Sequence, residues 1–509
     1  MIDADLVEVN VFDNQRGGRA WTSAANRPTR LGSPTCRAAI APWTAIGLVL
    51  LVLVATGCAQ PAARPSPSAV TVAPPAPIRV GAVFPLQGNA AGLAGEQLKG
   101  VQVAADFVNA DGGIGGRRIV LDVRDLASRD DATAVMAGLK SDGVSLVIGA
   151  YASDLTIAAS QAADAAGLVY WEAGAVADQL TGRGLPLVFR VGASGTNLGS
   201  NSAAFAARVL APRLGATPGD LRVAIVNAED EYARSVADAA ARTATEAGLS
   251  VVARASYNLS LPHWPALMSE LSSTRPDVVI LASHIPDGIA FRRAMLAAGL
   301  KVGALVGSTM AECSPDFAGE LGQNAIGVFA SDRPTGGFQP SALSPTARAT
   351  YDRLATAWIS AGGAGSSPAP KEREYGGYGR DAQPGGSGKQ SEYSIKGPVE
   401  EGSAAAGPTE EGLSGFSAAW ALFRDVLPDA VAAGRLDPAG IAAAARTVDL
   451  PDGALPNGAG LRFSAEPATL GQNERAAAVI WQWQAVRSYT FVWPNTYATG
   501  SVAFVPLPK

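Results

Sequence analysis

Few residues of this chain could act as nucleophile, general base or metal ligand. The 509 residues include two histidines, His263 and His284, and three cysteines, Cys36, Cys58 and Cys313. Hydrolytic or transfer chemistry needs a nucleophile with a base and an orienting acid, or a metal held by several side chains. No GxSxG, HExxH or paired-cysteine motif is present. His263 precedes Trp264 and Pro265 at a helix start, which suits a cap or a surface place. Cys313 has no histidine near it in sequence, and an odd, sparse set of cysteines builds no disulfide framework. GGSGK (385–389) has the outline of a phosphate loop, but Gln390 stands where a hydroxyl should bind magnesium and no strand precedes it, so a linker is the better reading. The net charge of −5 excludes a dedicated nucleic-acid binder, which would carry a basic surplus. No catalytic residue, cofactor or metal is expected. What remains is binding.

Of the three cysteines, Cys58 has the informative context. Residues 38–57, AAIAPWTAIGLVLLVLVATG, carry no charge and follow Arg27, Arg30 and Arg37, a positive segment leading into an apolar one. About 20 apolar residues also suffice to cross a bilayer, so a retained anchor is the alternative. The run ends in Ala55-Thr56-Gly57-Cys58, which resembles a bacterial lipobox, where the cysteine thiol receives lipid after cleavage. Residues 27–57 are then a lipoprotein signal peptide, and residues 1–26, which have no hydrophobic period, are not expected in the mature protein. Residues 58–77 are rich in Pro, Ala and Ser and read as an extended tether from a lipidated Cys58 at the cell membrane.

The elements that must position a site begin at Ile78. IRVGAVFP is a buried strand, and Leu98, Val101, Ala105 and Val108 fall on one face of a helix. The turn DGGIGG, the strand RIVLDVRD, a second helix and the strand VSLVIGAY complete a βαβαβ unit, which calls for a parallel sheet with helices on both faces. GGIGG follows a helix and precedes a strand, the reverse of the order that cradles a pyrophosphate, so its glycines make a turn. The alternation restarts at LRVAIVNA (221–228) and runs through DVVILASH (277–284) to AIGVFASD. Two doubly wound α/β lobes are predicted.

AVFPLQG, NADGGIGGRRIVLDVRD, VSLVIGAYAS, VFRV (188–191), VAIVNAEDEYARSV (223–236) and RRAMLAAGLKVGALVG (292–307) together resemble the branched-chain amino-acid type of periplasmic solute-binding protein. The resemblance covers about residues 78–358 and 413–484. It implies a type I periplasmic-binding fold, two lobes joined by three crossovers near residues 195, 333 and 475, and a ligand enclosed between them. The first lobe would comprise 78–195 and 333–475, the second 196–332 and 476–509. Residues 361–412, with no hydrophobic period and much Gly, Ser and Pro, depart from the family and read as a disordered insertion.

Carried over residue by residue, the resemblance puts Ser153 at the anionic end of a ligand, unless it is an ordinary helix-capping serine. Gly174 and Ala175 keep the small residues of the next wall loop, while Val176 stands in place of a hydroxyl-bearing threonine. Tyr232 matches a closing aromatic, and His284, as easily structural as contacting, takes the place of another. Thr309 replaces the acid that pairs with a ligand ammonium, and Leu93 replaces an aromatic. Glu172, read as exposed on the wall loop, and Glu312 are the acids that could compensate. Trp171 is divided between stacking on a ligand and packing in the lobe. The resemblance implies an extracytoplasmic, monomeric receptor that binds an amino-acid-like solute, small carboxylate or amide and passes it to the permease and ATPase of an ABC importer. A sensor of the same fold signalling to a membrane partner, or an extracytoplasmic enzyme, stays open.

Overall fold

The computed structural model describes residues 75–360, 407–486 and 488–508, all within one compact unit spanning Val72–Lys509. The signal, Cys58, nearly all of the tether and residues 361–406, with GGSGK, lie outside the described residues. No described helix is long and apolar enough to cross a membrane.

The first lobe opens with β1 (Ile78–Phe84), α1 (Ala91–Ala110), β2 (Ile119–Asp125), α2 (Ala132–Ser141), β3 (Leu146–Gly149), α3 (Ser153–Ala165), β4 (Val169–Glu172) and β5 (Val188–Arg190). The strands form a parallel sheet in the order β2-β1-β3-β4-β5. In β1 every residue except Arg79 is buried, because helices cover both faces of the sheet. Val80, Ala82 and Phe84 pack toward α1, and Val83 meets Met136, Leu139 and Leu155 on the other side. In DGGIGG, Gly112, Gly113, Gly115 and Gly116 all have positive φ, the turn that only glycine makes without strain.

The chain then crosses to the second lobe: α4 (Gly195–Phe205), α5 (Ala211–Arg213), β6 (Arg222–Ala228), α6 (Glu231–Glu246), β7 (Ser250–Tyr257), α7 (Trp264–Thr274), β8 (Val278–Ala282), α8 (Ile285–Ala297), β9 (Ala304–Ser308), α9 (Pro315–Leu321) and β10 (Phe329–Asp332). After Asp332 it returns to pack α10 (Pro345–Ser360), α11 (Glu410–Ala421), α12 (Leu427–Ala432) and α13 (Pro438–Thr447) on the first core, followed by the short hairpin of β11 (Asp449–Leu450) and β12 (Leu461–Arg462). Gln472 bridges to Arg190, and the chain crosses a third time into β13 (Val479–Ala485) and β14 (Ser488–Trp493). These two strands run antiparallel at the edge of a seven-stranded sheet, β14-β13-β10-β9-β8-β6-β7, whose other pairs are parallel.

The alanine-rich composition sets how closely helices pack. α6 buries Ala233, Ala237, Ala240 and Ala244 on one face, with Asp230 capping its start by accepting the Ala233 N–H. α1 and α11 approach until a Cβ on Gly100 would lie 2.2 Å from the Gly412 carbonyl oxygen. This contact corrects the reading of 361–412 as one solvated insertion. Residues 407–412 belong to the fold: Thr409 caps α11, and Glu410 and Gly412 are buried, the glycine against Trp358. A run of Gly and Glu carries no hydrophobic period, but here glycine admits a tryptophan and glutamate meets a buried arginine.

Candidate functional site

In both sheets the loops after the parallel strands lie at the strands' carboxyl ends, where open α/β sheets carry their sites. On the first lobe, β3 leads into Tyr151, whose φ is 73°, and then into α3. Ala152, not Ser153, occupies the cap position of α3, so Ser153 is the first helical residue and not a capping serine. Its hydroxyl oxygen accepts the N–H groups of Val176 and Ala177, each at 3.2 Å, and so ties α3 to the loop after β4.

β4 is buried on both faces, which decides Trp171 and Glu172. Trp171 packs edge-on to Phe463 beside Phe189 and donates its indole N–H to the Ala418 carbonyl at 2.9 Å, a place in the core and not on a ligand. Glu172 is fully buried rather than exposed. Its Oε1 accepts the N–H groups of Ala173, Gly174 and Ala175 at 3.0, 2.7 and 2.9 Å, and its Oε2 accepts the hydroxyls of Thr156 and Tyr170 at 3.0 and 3.3 Å. Burial raises its pKa above the ordinary value, against the lowering by those donors. The wall-loop N–H groups of Gly174 and Ala175, expected to meet a ligand, therefore bind a side chain of the chain itself. Beneath the loop, buried Arg190 donates to the carbonyls of Val176 and Ala177 at 3.0 and 2.7 Å. Burial lowers its pKa to about 10, with Asp178 and Glu172 opposing.

From the second lobe, Tyr232 on α6 donates to the Ser283 carbonyl at 3.2 Å and packs against the His284 ring, centroids 4.9 Å apart. His284 precedes α8, and its Nε2 lies 2.6 Å from Asp230 Oδ2. Burial disfavours the imidazolium, but Asp230, Asp287 and Asp154 outweigh it and raise the His284 pKa above the usual 6.5. Burial would likewise raise Asp230, yet the bond from His284 holds it below the usual carboxylate value. Thr309 is buried at φ 76°, an outlier for a β-branched residue, and Met310 follows at 45°. The Thr309 hydroxyl lies beside that of Tyr232 without a well-formed hydrogen bond. Glu312, a candidate partner for a ligand ammonium, points into the second lobe: its carboxyl fills the space over Gly307 between β9 and α8, and neither oxygen has a hydrogen-bond partner among the described residues. Burial, with the charge of Asp287, raises its pKa well above the ordinary value.

The walls meet. The Asp178 N–H donates to Ser235 Oγ on α6 at 3.0 Å, and Gln179 bonds to Glu231. Val176 packs into the second lobe's core, and Leu93 touches both cores. At the hinge, Arg333 pairs with Glu410, lies 3.6 Å from Asp332 and donates to the Gly174 carbonyl at 2.6 Å. Cys313, half-buried there, donates to the Met310 carbonyl at 3.0 Å. Its Sγ and oxygens of Asp332 and Glu410 lie within 4.8 Å of one another, but the neighbouring guanidinium already neutralises the carboxylates a metal would need.

Ser153, Val176, Tyr232, His284 and Thr309 thus come together, while Trp171, Glu172 and Glu312 turn inward. Asp230, Arg333 and Glu410 were not anticipated. Asp230 could have been found as the acidic residue before a helix after a buried strand, and Arg333 as a charge directly behind a buried strand. Glu410, far away in sequence, carried no signal.

The family model described as "Periplasmic binding protein" matches residues 77–379 of the chain. A Leu/Ile/Val-binding protein homolog of Brucella abortus (strain 2308) is 30% identical over 440 residues, 86% of this chain and 95% of its own. A crystal structure of a putative branched-chain amino acid ABC transporter from Silicibacter pomeroyi superposes with a TM-score of 0.62 at 19% identity, covering 85% of this chain and all of the other. A branched-chain amino acid transporter substrate binding protein of Streptococcus pneumoniae in complex with isoleucine gives 0.57 at 17% identity, covering 82% and 100%.

Proposed function

The chain belongs to the periplasmic binding protein family of extracytoplasmic solute receptors, and from that premise we propose that it encloses a small molecule between its lobes and delivers it to an ABC importer, held at the membrane by lipid on Cys58. What supports this reading is that the loop after β4, tied to Ser153, touches α6 of the second lobe through Asp178 and Gln179, close to where Tyr232 and His284 stack; Tyr151 and Ser153 are then the proposed residues of one wall and Tyr232, His284 and Thr309 those of the other. Three chain segments join the lobes, so one can turn against the other about residues near 191–194, 333 and 473–478. Closure requires a ligand that touches both walls, since differential affinity is what shifts the equilibrium between open and closed forms. The Asp178–Ser235 and Gln179–Glu231 contacts link the two lobes across this cleft. The relatives' amino-acid names favour a solute of that size, and the permease and ATPase of the importer are its partners.

A thermal-shift screen of the full-length chain against amino acids, amides, carboxylates and amines tests the reading. A solute at a hundred times its Kd should stabilise the protein by about 2.7 kcal/mol. Ser153→Ala and Tyr232→Ala should each diminish that shift. A solute whose shift survives both changes would put the binding site elsewhere.

A further inference from the structure

Two of the three crossovers are tied to each other by neutral groups: Asn473 Nδ2 donates to the Val191 carbonyl at 3.0 Å, and Gln472 Nε2 to that of Gly192 at 3.3 Å. The second crossover carries charge. There Asp332, the last residue of β10, and Arg333 directly after it are both buried. Buried charges are costly unless paired and hydrogen-bonded, so the places where their bonds go show what they hold.

Asp332 serves the second lobe. After β9 the chain turns through Thr309 and Met310, with φ of 76° and 45°, a conformation that residues other than glycine keep only where their surroundings impose it. The Thr309 N–H donates to the Ser331 carbonyl at 2.7 Å and the Met310 N–H to Asp332 Oδ2 at 3.2 Å, so the end of β10 sets this turn. Arg333 serves the first lobe. Its Nη1 donates to the Gly174 carbonyl of the wall loop at 2.6 Å, and its Nε pairs with Glu410 at the start of α11. Gly192 leaves room for this approach: a Cβ there would lie 2.3 Å from the Ala173 carbonyl oxygen and 3.9 Å from Arg333 Cδ. The two side chains meet across the crossover, with Arg333 Nε 3.6 Å from Asp332 Oδ1, which also accepts the Arg333 N–H at 2.7 Å.

Resting on the cleft as the binding site, we propose that Asp332 and Arg333 are positioning residues for ligand binding, the acid holding the Thr309–Met310 turn on one wall and the guanidinium holding Gly174 on the other. Neither has to touch the ligand. The planar fork of arginine lets one side chain serve a carboxylate and a carbonyl at once, whereas a lysine ammonium, a point charge, keeps the ion pair without the fork. Each side chain acts on its own wall, so substituting one should loosen that wall and leave the opposite wall in place.

Hydrogen exchange of the full-length chain without ligand, read by mass spectrometry, tests this. Arg333→Lys should speed exchange of the amides of residues 173–177 at least about ten-fold and leave those of 309–313 within about three-fold of the parent. Asp332→Ala should do the reverse, and Asp332→Asn, with one oxygen for two N–H donors, should have a smaller effect in the same place. Exchange in β10 and in the body of α11 should stay within about three-fold of the parent in each variant, a separation that a general packing role would not produce. Loosening of both walls together with β10 and α11, or of neither wall, overturns the inference. Repeating the thermal-shift screen of amino acids, amides, carboxylates and amines with Arg333→Lys carries the test to binding. A solute that stabilises the parent should give a smaller shift, and an equal shift overturns the role in binding while the receptor reading stands. No shift from any solute overturns the receptor reading and with it the role in binding, whereas the exchange pattern, which needs no ligand, decides separately whether the pair holds the walls.

Discussion

Replacing Glu312 with Gln should change how stability depends on pH. The carboxyl is fully buried, has no hydrogen-bond partner among the described residues and lies against Gly307 and Gly288. Burial raises its pKa well above 4.5, so the folded protein keeps a proton that the unfolded chain releases. Because the unfolded state binds fewer protons above pH 4.5, stability falls as pH rises from there until the folded carboxyl ionises. One such group contributes a slope of about −1.4 kcal/mol per pH unit, hence a loss of about 2.6 kcal/mol between pH 5 and 7 while the folded form keeps its proton. Glu312→Gln preserves the shape and removes this titration. Its unpaired amide brings a cost of its own, but one that does not vary with pH. Urea unfolding at pH 5, 6 and 7 should therefore show the variant gaining on the parent by about 1 to 1.4 kcal/mol per unit. Parallel profiles would refute the reasoning, because they would mean that the folded carboxylate is ionised and has found a partner, such as the ammonium of a ligand.

Gly100→Ala should destabilise by at least about 1 to 3 kcal/mol in the same assay, since the new methyl meets backbone of α11 that cannot move aside. Glu410→Gln removes the closest partner of buried Arg333 and should cost toward the lower end of about 3 to 5 kcal/mol, because Asp332 remains 3.6 Å away. Deleting residues 363–406 with a short Gly/Ser closure should change stability by less than about 1 kcal/mol, loop length entering only logarithmically, whereas a deletion running through Glu410 should reproduce the cost of losing that pair. Cys58→Ala should leave the precursor unprocessed and unlipidated, read by gel shift and detergent partition, and processing identical to the parent would end the lipoprotein proposal.

The α/β lobes were legible in the sequence because parallel strands buried on both faces read as continuous apolar runs, and helices between them keep a 3.6-residue period. IRVGAVF, RVAIVNA and VVILA needed no tertiary context to be recognised. The same property hid the site. A short strand buried on both faces gives no sign of whether Trp171 and Glu172 look into a core or a cleft, and an acid beside a tryptophan before small residues reads as a ligand wall. Only the packing showed that Trp171 meets Phe189 and Phe463, and that Glu172 binds the loop it seemed to leave open. Glu410 lay in a stretch whose composition argued for solvent, yet it stands at the start of a helix beside an arginine 77 positions earlier in the chain. Periodicity is a local property written along one element, so the sequence by itself determined which segments are strands and helices and how they alternate. Which polar groups find one another depends on distances across the chain between elements that meet only after folding, and buried charges and hydrogen bonds are decided there, by proximity and by the cost of leaving any of them unpaired.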